Sequence, residues 1–273
     1  MDNRPIGVFD SGLGGLTVVK EIMKQLPNES IVYFGDDGRT PYGTKSKETL
    51  IKYTRQDLAF LLSMDVKLVV VACNTVSAVA LPELRSLIKV PVIEVVEPGA
   101  RSALKKTRHG RIGVIATPAT TQSGLYPRVI KSMNPDVSIF PKACPLFVSL
   151  AEEGWWYNEI TKMVAEEYLK ELKQARIDTL LLGCTHYPLL INTIREVMGN
   201  DVVLVSSAEE LAIALKELLQ KENLESMGEN VTYRYYTSDS VEKFRRLGGM
   251  ILGKEISDVE RVDLENYQIN LVK

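Results

Sequence analysis

Long apolar runs are missing from this chain. Its most hydrophobic stretches, such as residues 68–73, fall far short of the ~18 residues that a bilayer-spanning helix needs, which excludes an integral helical membrane protein. Blocks of like charge are also absent. Lys plus Arg number 33 against 35 Asp plus Glu, a net charge of −2, so neither a nucleic-acid surface nor a polybasic membrane anchor is expected. Cysteine is scarce: Cys73, Cys144 and Cys184 are an odd number that cannot all pair within the chain, and free thiols in a reducing compartment are the expectation. Neither a Cys-x-x-Cys spacing nor a histidine pair at helical spacing occurs, so no metal site is expected. The start, Met1-Asp2-Asn3-Arg4-Pro5, leads straight into strand-like Ile6-Gly7-Val8-Phe9 without a charged-then-apolar leader, which predicts a cytoplasmic protein. What is present is the composition of a soluble globular chain, 45% hydrophobic and 25% charged.

Short β-branched runs alternate with helix-length amphipathic segments, the pattern of a mainly parallel sheet covered by helices, and this predicts an α/β fold. Strands are expected at 6–9, 31–34, 68–72, 92–95, 112–116, 137–140, 179–182, 202–205 and 231–236. In 46–64, Leu50, Tyr53, Leu58, Leu61 and Leu62 recur at roughly helical spacing behind Ser46 as N-cap. That is many strands for one sheet, and an internal echo points to two similar lobes. Leu68-Val69-Val70-Val71-Ala72-Cys73-Asn74-Thr75 matches Thr179-Leu180-Leu181-Leu182-Gly183-Cys184-Thr185-His186 at a constant offset of 111 residues. Glu97-Pro98-Gly99 and Ser206-Ser207 are the expected crossing points between lobes.

In open parallel sheets, ligands bind outside the carboxyl ends of the strands. Five polar clusters fall there: Asp10 to Gly15, Gly35-Asp36 with its loop to Pro41-Tyr42-Gly43, Cys73-Asn74-Thr75, Thr117 to Thr121, and Cys184 to Pro188. The glycine turn after Asp10 reads as an anion site at a helix start near Gly15 or Leu16, or simply as a tight strand-to-helix turn. Its spacing is not the dinucleotide fingerprint, and Asp10 would repel a phosphate. Gly38 to Ser46 only approximates a P-loop, because Thr44 precedes the lysine and Pro41 removes an N–H.

The cysteines carry more information. A thiol at a helix N-terminus, where both Cys73 and Cys184 are expected, can become a reactive thiolate. Two such thiols across a cleft suit removal of a proton from one face of a carbon and delivery to the other. His186, two residues after Cys184, and Asp10, from the neighbouring strand end, are the groups expected to move each thiol's proton. Cys144 lies outside the repeat and reads as structural, and His109 as a solvated loop residue. Trp155-Trp156 reads either as an interface patch or as a partly buried aromatic pair.

Asp10-Ser11-Gly12-Leu13-Gly14-Gly15, Pro41-Tyr42-Gly43, Ala72-Cys73-Asn74-Thr75 and Gly183-Cys184-Thr185-His186-Tyr187-Pro188 together resemble the bacterial glutamate racemases of the aspartate/glutamate racemase superfamily, in order and spacing, over essentially the whole chain. The resemblance implies two pseudo-symmetric doubly wound α/β lobes, 1–97 plus 207–273 and 98–206, with the active site in the cleft between them. It implies cofactor-independent interconversion of L- and D-glutamate for peptidoglycan synthesis, by a homodimer. Carried over by position, Cys73 and Cys184 are the acid/base residues, assisted by Asp10 and His186 respectively. Ser11, Tyr42, Gly43, Asn74, Thr75 and Thr185 hold the substrate, with Thr117, Thr120 and Thr121 as further contributors; Asp36 and Glu152 match acidic positions as auxiliaries. One departure is local: relatives often carry Asp-Thr-Ala-Arg where this chain has Asp36-Asp37-Gly38-Arg39, which leaves the contacts of Asp37 open. An aspartate racemase or another cysteine-pair isomerase is the alternative, since pocket size decides the substrate.

Overall fold

The structure, a computed structural model, describes residues 1–228, 230–265 and 267. Strand and helix alternate through β1 (Ile6–Asp10), α1 (Leu16–Gln25), β2 (Ile31–Gly35), α2 (Lys47–Ser63), β3 (Leu68–Val71), α3 (Asn74–Val79), α4 (Leu81–Leu84), β4 (Val92–Glu94) and α5 (Val96–Lys106). They continue as β5 (Arg111–Ala116), α6 (Pro118–Ser123), α7 (Leu125–Met133), β6 (Ser138–Ala143), α8 (Leu146–Glu152), α9 (Glu159–Gln174), β7 (Thr179–Gly183), α10 (Ile191–Met198) and β8 (Val203–Ser206). The described chain closes with α11 (Ala208–Lys221), β9 (Tyr233–Thr237), α12 (Val241–Leu252) and β10 (Val259–Arg261).

Two all-parallel sheets result. One has the order β10-β9-β2-β1-β3-β4 and the other β6-β5-β7-β8. The order β2-β1-β3-β4 recurs as β6-β5-β7-β8, so β3 and β7, the two strands of the sequence echo, hold equivalent places. The inner strands β1, β2, β3 and β7 are buried along their whole length, as expected of parallel strands covered on both faces. Alternation then divides their side chains: Ile6, Val8, Leu68 and Val70 fill the core on one face, Phe9, Val69 and Val71 the core on the other. The second sheet repeats this, with Ile115, Leu180 and Leu182 on one side and Ile112, Val114 and Leu181 on the other.

Expectation and structure differ at the edges. β6 begins at Ser138 and runs to Ala143, through Pro141; as an edge strand it tolerates a residue without an N–H. β10, Val-Glu-Arg, was not expected, because three residues with two charges carry no alternation to read. The chain passes between sheets through helices: Pro98 and Gly99 lie in the first turns of α5, where a missing N–H costs nothing, and Ser207 immediately precedes α11. Ser46 does cap α2, accepting from the Thr49 N–H at 3.3 Å. Among the described residues, no helix is long and apolar enough to cross a membrane.

Candidate active site

The carboxyl ends of the two sheets face each other, and the polar clusters expected at those ends meet there. Cys73 follows β3 as the residue capping α3, and Cys184 follows β7 just before the turn into α10. Both are almost fully buried. The two sulfurs lie close enough that a charge on Cys184 disfavours one on Cys73.

Around Cys73 the structure places a hydroxyl and a carboxylate. Its Sγ donates to Ser11 Oγ at 3.5 Å. Burial pushes this thiol up to about 12, with the Asp10 charge adding to the effect and the Val76 N–H and Ser11 opposing it. The helix-start position therefore does not make Cys73 a ready thiolate; lost solvation outweighs the few N–H dipoles of the six-residue α3. Asp10 is itself buried and does not hydrogen-bond to the thiol. It accepts from the N–H groups of Gly12 at 3.3 Å and Gly15 at 3.0 Å, and from Thr185 Oγ1 at 3.1 and 3.2 Å. Burial raises Asp10 from 3.8 to about 6, against the lowering pull of His186 and those donors.

The glycine turn is thus not an open anion cradle. Its N–H groups are taken by the chain's own carboxylates, those of Gly12 and Gly15 by Asp10 and that of Leu13 by Glu152. The glycines serve close approach instead. A Cβ on Gly12 would stand 2.6 Å from Glu152 Oε1, and one on Gly14 would stand 2.7 Å from both His186 Nδ1 and Thr185 Oγ1. Bare backbone lets the second half of the chain seat against the first.

Around Cys184 the structure places an imidazole and an acid in series. Cys184 Sγ lies 3.8 Å from His186 Nδ1, and His186 Nε2 lies 2.7 Å from Glu152 Oε1. Glu152, the last residue of α8, also accepts the Leu13 N–H at 3.2 Å and has Lys243 Nζ 3.6 Å from Oε2. Burial works against its charge, but the His186 hydrogen bond and positive charge outweigh that and hold it below the usual carboxylate range. In turn His186 is held well above its ordinary value: burial disfavours the imidazolium, and the bonds to Cys184 and Glu152 more than offset it.

A wall of hydroxyls joins the two sides. Thr75 Oγ1 lies 2.9 Å from Thr117 Oγ1 and 3.3 Å from Thr120 Oγ1, and Thr117 donates to Thr120 at 3.0 Å. Asn74 accepts from the Tyr126 hydroxyl at 2.5 Å, while its Nδ2 and the Thr121 hydroxyl have no hydrogen-bond partner among the described residues. Gly43 packs against Thr117, where a side chain would collide. Neutral donors of this kind can hold an anion without a bulky arginine.

The side chains of Tyr42 and Asp36 are engaged elsewhere. The Tyr42 hydroxyl is buried between the carboxylates of Asp36 and Asp57. Asp36 further accepts from Arg39 Nε at 2.6 Å and Ser238 Oγ at 2.7 Å. The Arg39 guanidinium completes the knot, bonding Asp57 at 2.7 Å with its face over Tyr53. Two side chains expected at the site therefore brace the loop that presents Gly43. Sequence reasoning missed Asp57, and the available signal was an acid between Tyr53 and Leu61 on the apolar stripe of α2. Tyr126 and Lys243 were missed too, and neither sits in a motif. Cys144 is buried, and burial pushes its thiol up; His109 is exposed. Trp156 packs against the cores of both sheets and Trp155 is half exposed.

Comparison with known proteins shows the family of the chain. The sequence pattern of the Asp/Glu/Hydantoin racemase family matches residues 6–215. A glutamate racemase of Geobacter metallireducens is 51% identical over 263 residues, 96% of this chain and 97% of that protein. Among solved structures, a glutamate racemase isoform of Bacillus anthracis superposes with a TM-score of 0.92 at 40% identity, covering 97% of this chain and 99% of that one. The glutamate racemase of Francisella tularensis in complex with D-glutamate gives 0.90 at 43%, covering 98% and 100%. The chain belongs to the Asp/Glu/hydantoin racemase family, and within it to the glutamate racemases.

Proposed function

We propose that this chain interconverts L- and D-glutamate by a two-thiol mechanism, with Cys73 and Cys184 acting on opposite faces of Cα. A thiolate on one side takes the Cα proton, and the C–H electron pair stays on carbon. The thiol on the other side gives its proton to the opposite face, so the two cysteines exchange protonation states in each turnover. His186, backed by Glu152, moves the Cys184 proton; Asp10 acts on Cys73 through its charge. Ser11, the backbone at Tyr42 and Gly43, Asn74, Thr75, Thr117, Thr120, Thr121 and Thr185 hold the carboxylates and ammonium. These preorganised donors stabilise charge as the carbanion develops, in a site that excludes water. No cofactor enters this scheme.

The single observation that supports the reading most is the equivalence of Cys73 and Cys184 at the ends of β3 and β7, with a carboxylate near one and an imidazole beside the other. We take 1–97 with 207–273 as one lobe and 98–206 as the other. A cytoplasmic homodimer that supplies D-glutamate for peptidoglycan fits this reading.

The test is incubation of extensively dialysed protein with L-glutamate in D₂O, following ellipticity and the Cα proton by NMR. Ellipticity decaying to zero with deuterium at Cα is the expected result. Exchange with aspartate alone would replace the substrate and keep the mechanism, and exchange with neither would overturn both.

A further inference from the structure

Asp37, in the loop after β2, stands near the Cys184–His186 pair. One carboxyl oxygen, Oδ2, accepts from Thr237 Oγ1 at 2.6 Å. The other, Oδ1, is buried without a hydrogen-bond partner among the described residues. It points at a crowded spot. A Cβ on Gly12 would stand 3.4 Å from Asp37 Oδ1, 3.4 Å from His186 Nε2 and 2.6 Å from Glu152 Oε1, so the three groups converge over a bare glycine. Two carboxyls this near one another in a buried place do not both ionise easily. Glu152 has the better support for its charge, from His186, the Leu13 N–H and Lys243.

We propose that Asp37 is a positioning residue for the Cys184–His186 acid–base pair: it holds the one proton that it and Glu152 have between them, and when it releases that proton the second negative charge keeps His186 in the imidazolium form. This rests on the proposed role of His186 beside Cys184. Burial first, then the charges of Glu152 and Asp36, hold the Asp37 carboxyl well above the usual range, while Thr237 and His186 pull it down. Tyr33 on β2 lies beside it, since a Cβ on Gly35 would stand 3.1 Å from Asp37 Oδ2 and 3.3 Å from Tyr33 Cε1, and Lys243 on α12 faces the group through Glu152. Glu152, Asp36, Tyr33 and Lys243 around Asp37, with Cys184 and Asp10 acting through His186, are thus ionisable groups that enter the coupling.

The experiment is an NMR pH titration of protein labelled with ¹⁵N-histidine. The chain has only two histidines, and the exposed His109 is an internal reference. In Asp37→Asn, His186 should lose its proton about one pH unit lower than in the wild type, a tenfold change in acid dissociation. Thr237→Val keeps the carboxyl but removes the donor that favours its ionisation, so it should shift His186 the same way by less. The alkaline limb of the pH–rate profile should move with His186; a merely structural Asp37 would lower the rate without moving the limb. Unmoved His186 titration in the folded variants would overturn the inference while leaving racemisation intact. A His186 shift in a protein that racemises nothing would support the coupling and sink the functional reading.

Discussion

The two halves of the molecule repeat one backbone and then part company at the strand ends. Phe9 pairs with Val71 across β1 and β3 as Ile115 pairs with Leu182 across β5 and β7. That register equates Asp10 with Ala116, Ser11 with Thr117, Asn74 with Thr185 and Thr75 with His186. One hydroxyl recurs, Ser11 as Thr117, but the strand-end carboxylate occurs on one side and the imidazole on the other. Cys73 is therefore held as a thiol by burial and by the Asp10 charge, whereas Cys184 has a neighbour that can take up or return its proton. Duplicated packing with unlike charges is what a reaction needs when one side must give a proton while the other accepts one.

Substitutions can break or sharpen that contrast. The largest effect is expected from Cys73→Ala and Cys184→Ala, each of which should lower racemisation by about 10³-fold or more, since each removes the only proton carrier on its face. Retention of near wild-type rates by both would end the two-thiol reading. Next, His186→Asn should cost on the order of 10²-fold in kcat, and Glu152→Gln about tenfold. Glu152→Gln should also lower the pH at which His186 deprotonates, because a charge that favours the imidazolium is gone; a pH–rate profile measures both.

Asp10 offers a test of stability. Its carboxyl rises from 3.8 to about 6 on folding, so between those values the folded state binds more protons than the unfolded state. Stability from this group is present below about 4 and falls as the pH rises through 6, by up to about 3 kcal/mol. Asp10→Asn should slow racemisation yet flatten this loss, read by urea unfolding at pH 4 and pH 8. An unchanged pH dependence would show that burial of Asp10 carries no such cost. The smallest effect belongs to the third thiol: Cys144→Ala should cost about 1 kcal/mol of stability through lost packing and leave the rate within about twofold.

How far the site could be read in advance depended on how local each signal was. Cys73 and Cys184 were legible because each follows an apolar strand and both sit in the same eight-residue pattern. Glu152, by contrast, ends a short helix and looks like any exposed acid until α8 brings it to His186. Tyr42 misled because a motif places a residue near a site without saying where its hydroxyl points; here Asp36 and Asp57 capture it. The glycine turn left two readings open. Flexible backbone suits an anion or a close neighbour alike, and the neighbour was 139 residues away at Glu152.

Strand composition and period are written within a few residues, so the α/β class, the core strands and the placing of both thiols at strand ends followed from the sequence by itself. The proton machinery did not. The Asp10–Thr185 bond spans 175 residues, and the meeting of Asp37, Glu152 and His186 over Gly12 draws on four separated segments. Only the docking of one sheet's carboxyl edge against the other's brings these groups out of water together. Burial and proximity then set their charges, and neither is a property of any one segment.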